Sequence, residues 1–164
     1  MAANKKPRKK YKPKYATDPV RHLSRLSKHE QLSVLITAHD SLLKITRGNG
    51  VLEDWRIVAG SLNMAVSLDR LVFHSSHADV LRESILAHAR CGVRGRNLGK
   101  FGYSGEDLKT INTAMAIHDA QMETATPREI CLALEDNERR DQRKEGVVNV
   151  AEMALSQGGQ HETV

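Results

Sequence analysis

The chain has 164 residues, a formal net charge of +5 and two cysteines. That length suits one domain with a core of its own, and two thiols are too few for the disulfide framework of a small secreted scaffold. No apolar run approaches the roughly 20 residues of a membrane span, and no apolar segment follows the basic start as in a signal peptide, so the expectation is a cytoplasmic protein with reduced thiols and no membrane partner.

The positive charge is unevenly spread. Residues 1–15 contain seven Lys or Arg and no acid, while residues 101–164 contain six basic and twelve acidic residues. The first segment should attract polyanions and the last should repel them. Residues 1–17, MAANKKPRKKYKPKYAT, read as a disordered basic arm. Lys5, Lys6, Arg8, Lys9, Lys10, Lys12 and Lys14 repel one another, and Pro7 and Pro13 break any helix. Tyr11 and Tyr15 are interleaved with the charges, where aromatic rings can stack on bases.

Residues 18–156 are expected to form one helical domain. Ser27-Lys28-His29-Glu30 is a capping box. The helix it opens carries Leu32, Leu35, Ile36, Leu42, Leu43 and Ile45, and Gly48 should end it. After the Asn49-Gly50 turn, Leu52–Phe73 reads as the central helix. Leu52, Trp55, Ala59, Leu62, Val66 and Phe73 form one apolar row, and Val58, Ala65, Leu68 and Val72 form a second. A helix with two apolar rows has neighbours on more than one side. The short link makes it an antiparallel partner of the first helix.

Ser76, with Asp79 at its N3 position, is expected to cap a third helix. Leu81, Ile85 and Ala89 face inward, and Gly92 stops it. Gly92–Ser104 then reads as the one long loop of the body, with Gly92, Gly95, Gly99 and Gly102 allowing unusual backbone shapes. Arg90 borders this loop. Arg94, Arg96 and Lys100 have no acid beside them in the sequence, and Phe101 and Tyr103 follow. Long loops in compact domains are often functional.

Ser104 with Asp107 starts a fourth helix carrying Leu108, Ile111, Met115 and Met122. Thr126-Pro127-Arg128-Glu129 starts a fifth, with Pro at N1 and Glu at N3. Ile130, Cys131 and Leu134 bury its first turns. Beyond them, Glu135 with Arg139 and Asp136 with Arg140 suit an exposed extension. Val147–Leu155 is a candidate sixth helix folding back on the bundle, and residues 157–164 should fray. The expected fold is therefore an all-α bundle of five to six helices with a basic N-terminal arm.

Several short patterns touch on chemistry without composing a site. His74-x-x-His77 and His88-x-x-Cys91 have zinc-like spacing, but one helix would hold the two pairs about 15 Å apart. His39-Asp40 and His118-Asp119 match the two-letter doublet of helical metal phosphohydrolases; the plainer reading is exposed polar residues on amphipathic helices. Gly92-Val-Arg-Gly95 matches the KH loop in letters, without a sheet to support it. The closing Gly-Lys-Ser/Thr of a Walker A loop is absent, as is a nucleophile elbow. Cys131, in an apolar turn, should be an inert thiol. No enzyme, metal site or cofactor is expected.

The basic start KKPRKKYKPKY, followed by short capped helices containing EDWRIVAGSLNMAVSL, resembles small uncharacterised helical proteins encoded by bacteriophages and mobile elements of Gram-negative bacteria. That resemblance implies a role against the host and no catalytic residues. Two functions are open. In the first, the arm and the Gly/Arg loop bind nucleic acid or a host nucleoprotein through Lys5, Lys6, Arg8, Lys9, Lys10, Tyr11, Lys12, Lys14, Tyr15, Arg90, Arg94, Arg96, Lys100, Phe101 and Tyr103. In the second, a helix face contacts a host or defence protein complex and inhibits it, in the manner of an anti-CRISPR protein.

Overall fold

The structure is a computed structural model and describes residues 28–143. The basic arm, the Ser27 cap, the candidate sixth helix Val147–Leu155 and the C-terminal residues 157–164 lie outside the described residues. Within them the fold is all-α, as expected. Five helices follow in order: α1 Lys28–Thr46, α2 Leu52–Leu68, α3 Ala78–Leu98, α4 Gly105–Thr124 and α5 Pro127–Gln142. A π-helical turn, Asp69–Phe73, extends α2.

The two apolar rows of α2 make it the centre of the bundle. It packs on α1, α3, α4 and α5. Trp55, Val58, Ala59, Leu62, Ala65 and Leu68 are all buried along it, while Leu52 at its start stays exposed. Against them lie Leu42 and Ile45 of α1, Leu81 and Ile85 of α3, and Ile111 and Met115 of α4. The predicted α1 stop is present: Gly48 takes φ 76°, in the left-handed region that glycine reaches without a Cβ clash.

Two helix starts follow their signals. The Ser104 hydroxyl accepts the Asp107 N–H, and Thr126 and Glu129 form the reciprocal capping box. The start of α3 differs from the expectation. His77, not Ser76, is its N-cap, and no side chain caps the helix. The π turn moves the chain ahead of it: His74 sits in the left-handed region at φ 46°, and Ser75 is bound to the Asp69 carboxylate. The Ser75 hydroxyl also accepts the His77 N–H at 3.1 Å.

The end of α3 differs more. It does not stop at Gly92 but runs to Leu98, and Gly99 at φ 68° terminates it. The long loop is therefore only a short link. The glycines that suggested it serve close packing. A Cβ on Gly92 would come within 2.7 Å of the Trp55 ring, and one on Gly95 within 2.3 Å of the Phe101 ring. A glycine costs a helix about 1 kcal/mol relative to alanine, which the burial of a large aromatic outweighs. Helix α5 also departs from its reading. Leu134 is 41% exposed, whereas Asp136 is 4% exposed and docks on α2. Asp136 accepts the Ser67 hydroxyl at 2.7 Å and an ion pair from Arg70. Burial opposes ionisation of that carboxyl, but the bonds from Arg70 and Ser67 hold it below the usual carboxylate range.

Candidate functional site

The corner where α3 meets α4 holds the expected binding residues of the body, and a groove between α1 and α4 holds the two His-Asp doublets. The corner contains the body's share of the expected nucleic-acid residues. Arg90 donates through Nε and Nη2 to one oxygen of Asp107, at 3.1 and 2.6 Å. Arg94 donates to the other oxygen at 3.1 Å and to the Gly102 carbonyl at 2.9 Å. Asp107 is 5% exposed. Burial works against its charge, but hydrogen bonds from Arg90, Ser104 and Arg94 keep its pKa below the usual value. Arg94 thus has an acid directly beside it, contrary to the sequence expectation, because α4 swings Asp107 back onto α3. Arg94 also pins the link that Gly102 belongs to.

The two aromatics of the link are inside rather than on the surface. Phe101 is buried on Gly95 and tilts against Trp55, with ring centroids 6.4 Å apart. An antiparallel bridge between Phe101 and Gly50 ties the link to the α1–α2 turn. Tyr103 is half-buried and points its hydroxyl at His88 Nδ1, 2.7 Å away. Arg96 and Lys100 are exposed near the end of α3. The structure therefore separates the predicted set. Arg90, Arg94, Phe101 and Tyr103 build the corner, while Arg96 and Lys100 stand on its outside. Residues Lys5 to Tyr15 lie outside the described residues.

His88 is the hub of the corner. Its ring stacks on Trp55 with centroids 5.0 Å apart and planes 6° from parallel. The Trp55 indole N–H donates to the His88 carbonyl at 3.0 Å, and His88 Nε2 donates to the Trp55 carbonyl at 2.8 Å. A carbonyl can only accept, so Nε2 carries the proton and Nδ1 accepts from Tyr103. Burial pushes the imidazole pKa down to about 4, against the opposing hydrogen bond to Trp55. Neutral His88 is therefore a structural clasp between α2 and α3. Both ring nitrogens are engaged, which removes it from the zinc-like pattern. Cys91, one turn on, is fully buried, and burial pushes its thiol up to about 11. Among the described residues no group of three His, Cys, Asp or Glu side chains is placed to hold a metal ion.

The groove holds none of the residues that the sequence singles out for binding. Its volume is about 680 Å³, and Leu32, Leu35, Ile36 and Leu43 of α1 face Met122 of α4 across it. Ile36 is 67% exposed and Leu32 54%. His39, Asp40, Asp119 and Glu123 stand along it. Here the two His-Asp doublets meet: His39 Nε2 lies 2.8 Å from Asp119 Oδ2. His118 is buried rather than exposed, and its Nδ1 and the second oxygen of Asp119 are buried without a hydrogen-bond partner, 3.7 Å apart. Burial lowers the His118 pKa, with Asp119 opposing the shift. Helix spacing carries the signal for the groove: residues 32, 35, 36, 39 and 43 share one face of α1, while Ala38, Ser41, Leu42 and Ile45 occupy the buried one.

No protein-family model, curated protein or solved structure matches the chain. Its function is read from geometry and charge.

Proposed function

We propose that this is a non-enzymatic binding protein that engages nucleic acid, alone or within a host nucleoprotein, through its basic N-terminal arm. The observation that carries the reading is the charge of residues 1–15: seven Lys or Arg, two tyrosines and no acid. Such a segment neutralises phosphates and releases counterions, and its rings can stack on bases. Arg96 and Lys100, exposed at the end of α3, extend the positive surface on the body. Arg90 and Arg94 are held on Asp107 at the edge of that surface, and Phe101 and Tyr103 support it from beneath. This reading fits the resemblance to proteins of bacteriophages and mobile elements.

The test is a titration of labelled single- and double-stranded oligonucleotides at several salt concentrations. Removing residues 1–15 is expected to weaken binding and to lower the salt slope by about 0.7–0.9 for each phosphate that is no longer neutralised. Replacing Arg96 and Lys100 by Ala is expected to weaken binding less and leave the fold intact. Equal affinities and slopes for wild type and the arm deletion would refute direct recognition by the arm. The exposed apolar wall of α1 favours a second reading, a protein-binding face that blocks a host or defence complex. A stable protein partner that survives nuclease treatment and no longer binds the Ile36→Asp variant would favour it.

A further inference from the structure

The α1/α4 groove sets an apolar wall beside a row of acids. Leu32, Ile36 and Leu43 are all exposed along it, and Leu35 and Met122 complete the wall. Apolar surface rimmed by polar groups marks an interaction site. Asp40, Asp119 and Glu123 stand along the wall, and no Lys or Arg is among the described residues that line it, although the chain carries a net charge of +5. Lys44 takes up Asp40 at 2.7 Å, and His39 faces Asp119. Glu123 has no ion-pair partner among the described residues.

Shape and charge together narrow what fits. Leu32 to Leu43 covers about 16 Å of α1 at 1.5 Å per residue, or about three turns. Both sides of the groove are helices, whose backbone groups bond within themselves. A strand laid over the leucines would find no main-chain partner and leave its own N–H and C=O groups unpaired. A helix carries its own bonds and needs only side chains. The acids then select among apolar surfaces. They repel the phosphates of nucleic acid and of an anionic membrane. A second copy docked by the same face would bring the same acids and no Lys or Arg to the interface. Basic residues beside an apolar stripe match both features.

We propose that the groove is the docking site for an amphipathic helix of a partner protein, about three turns long, with apolar residues at i, i+3 or i+4 and i+7 and Lys or Arg along one flank. The apolar stripe rests on Leu32, Ile36 and Leu43, and the basic flank meets Asp119 and Glu123 on α4. The inference supplies the partner chemistry of the protein-binding face read above and rests on that reading. It is independent of what the arm binds.

The test is selection of a displayed library of helical peptides on the full chain. Leucines are fixed at i, i+3, i+7 and i+10, and the flanking positions vary among Lys, Glu, Gln and Ala. Enriched peptides are expected to carry Lys along one flank, and Ile36→Asp is expected to weaken their binding at least about ten-fold. Glu123→Lys is expected to reverse the preference, enriching Glu on the same flank. Ile36 and Glu123 are both exposed, so both variants are expected to keep the fold, which a thermal melt checks. No enrichment, or binding indifferent to Ile36→Asp, would overturn the proposal. Peptides that need Ile36 but keep the same flank on Glu123→Lys would leave a protein-binding face standing and overturn its basic partner. Self-association seen by sedimentation and lost in Ile36→Asp would assign the groove to a second copy instead.

Discussion

The α3–α4 corner and the α1/α4 groove are built from the same kinds of residue and end in different states. Each has a carboxylate joining two helices and a histidine beside it. At the corner, Asp107 is buried beneath Arg90 and Arg94, and His88 is clamped by Trp55 and Tyr103. At the groove, Asp119 meets His39 at a site that is more than a third exposed on both sides, and the leucines and isoleucine around it face outward. The difference lies in what covers the polar groups. Two rings and two glycines close the corner, whereas nothing among the described residues closes the groove. A polar cluster of the first kind fixes a fold, and one of the second kind is left open to a ligand or a further segment.

The largest effect that would break this contrast is at Trp55. It is 4% exposed and lies over Gly92, His88 and Phe101. Trp55→Ala is expected to lower stability by about 3–5 kcal/mol, the range for truncating a buried large aromatic. It also leaves the His88 carbonyl without its indole donor. Chemical denaturation of the variant checks this. A midpoint equal to wild type would mean that the corner is not the closed centre of the bundle.

Next comes the titration of His88. Its folded pKa is depressed, from 6.5 to about 4. Its contribution is therefore fully present above pH 6.5 and is lost as pH falls from 6.5 towards 4, because the unfolded chain takes up the proton first. The depression corresponds to a loss on the order of 3 kcal/mol across that window. The buried carboxylates Asp107 and Asp136 have depressed pKa values, so their contributions are lost at still lower pH. NMR titration of the His88 ring should show no proton uptake down to about pH 5. A midpoint near 6.5 would place the ring in water and remove the clasp.

How much of the molecule is legible in the sequence follows from what each signal depends on. The bundle, the central helix and the caps at Ser104 and Thr126 depend on local spacing, and the structure bears them out. Gly92–Ser104 reads as a loop because glycine has two uses, backbone freedom and close approach. Only the partner ring tells them apart: Trp55 lies 37 residues from Gly92 in the chain, while Phe101 follows Gly95 by six. Arg94 looks unopposed because Asp107, thirteen residues on, reaches it only when α4 folds back. The meeting of the two His-Asp doublets, 80 residues apart at His39 and Asp119, is invisible for the same reason. The exposed row of α1 is legible as a face but not as exposed, since periodicity shows which residues align and not what covers them.

The smallest effect is the sharpest test of the contrast, because it compares like with like. Asp107→Ala removes a buried acceptor of three guanidinium bonds, and hydrogen bonds to charged groups contribute about 1.5–3 kcal/mol each before the exposed portions of the arginines are discounted. A decrease of about 2 kcal/mol is expected. Asp119→Ala removes a carboxylate whose partner His39 has a side chain 47% exposed. Solvent and salt screen that pair, and exposed pairs contribute about 0–1 kcal/mol. The second oxygen of Asp119 makes no hydrogen bond and lies 3.7 Å from the buried His118 Nδ1, so its removal breaks no buried hydrogen bond. Denaturation of both variants at about pH 7.5, at low and at high salt, reads the difference. Asp107→Ala should be clearly the less stable at either salt concentration, and the small effect at Asp119 should shrink as salt rises. If Asp119→Ala cost as much as Asp107→Ala, the groove would be as closed as the corner, and His39 and Asp119 would belong to the scaffold rather than to an open surface.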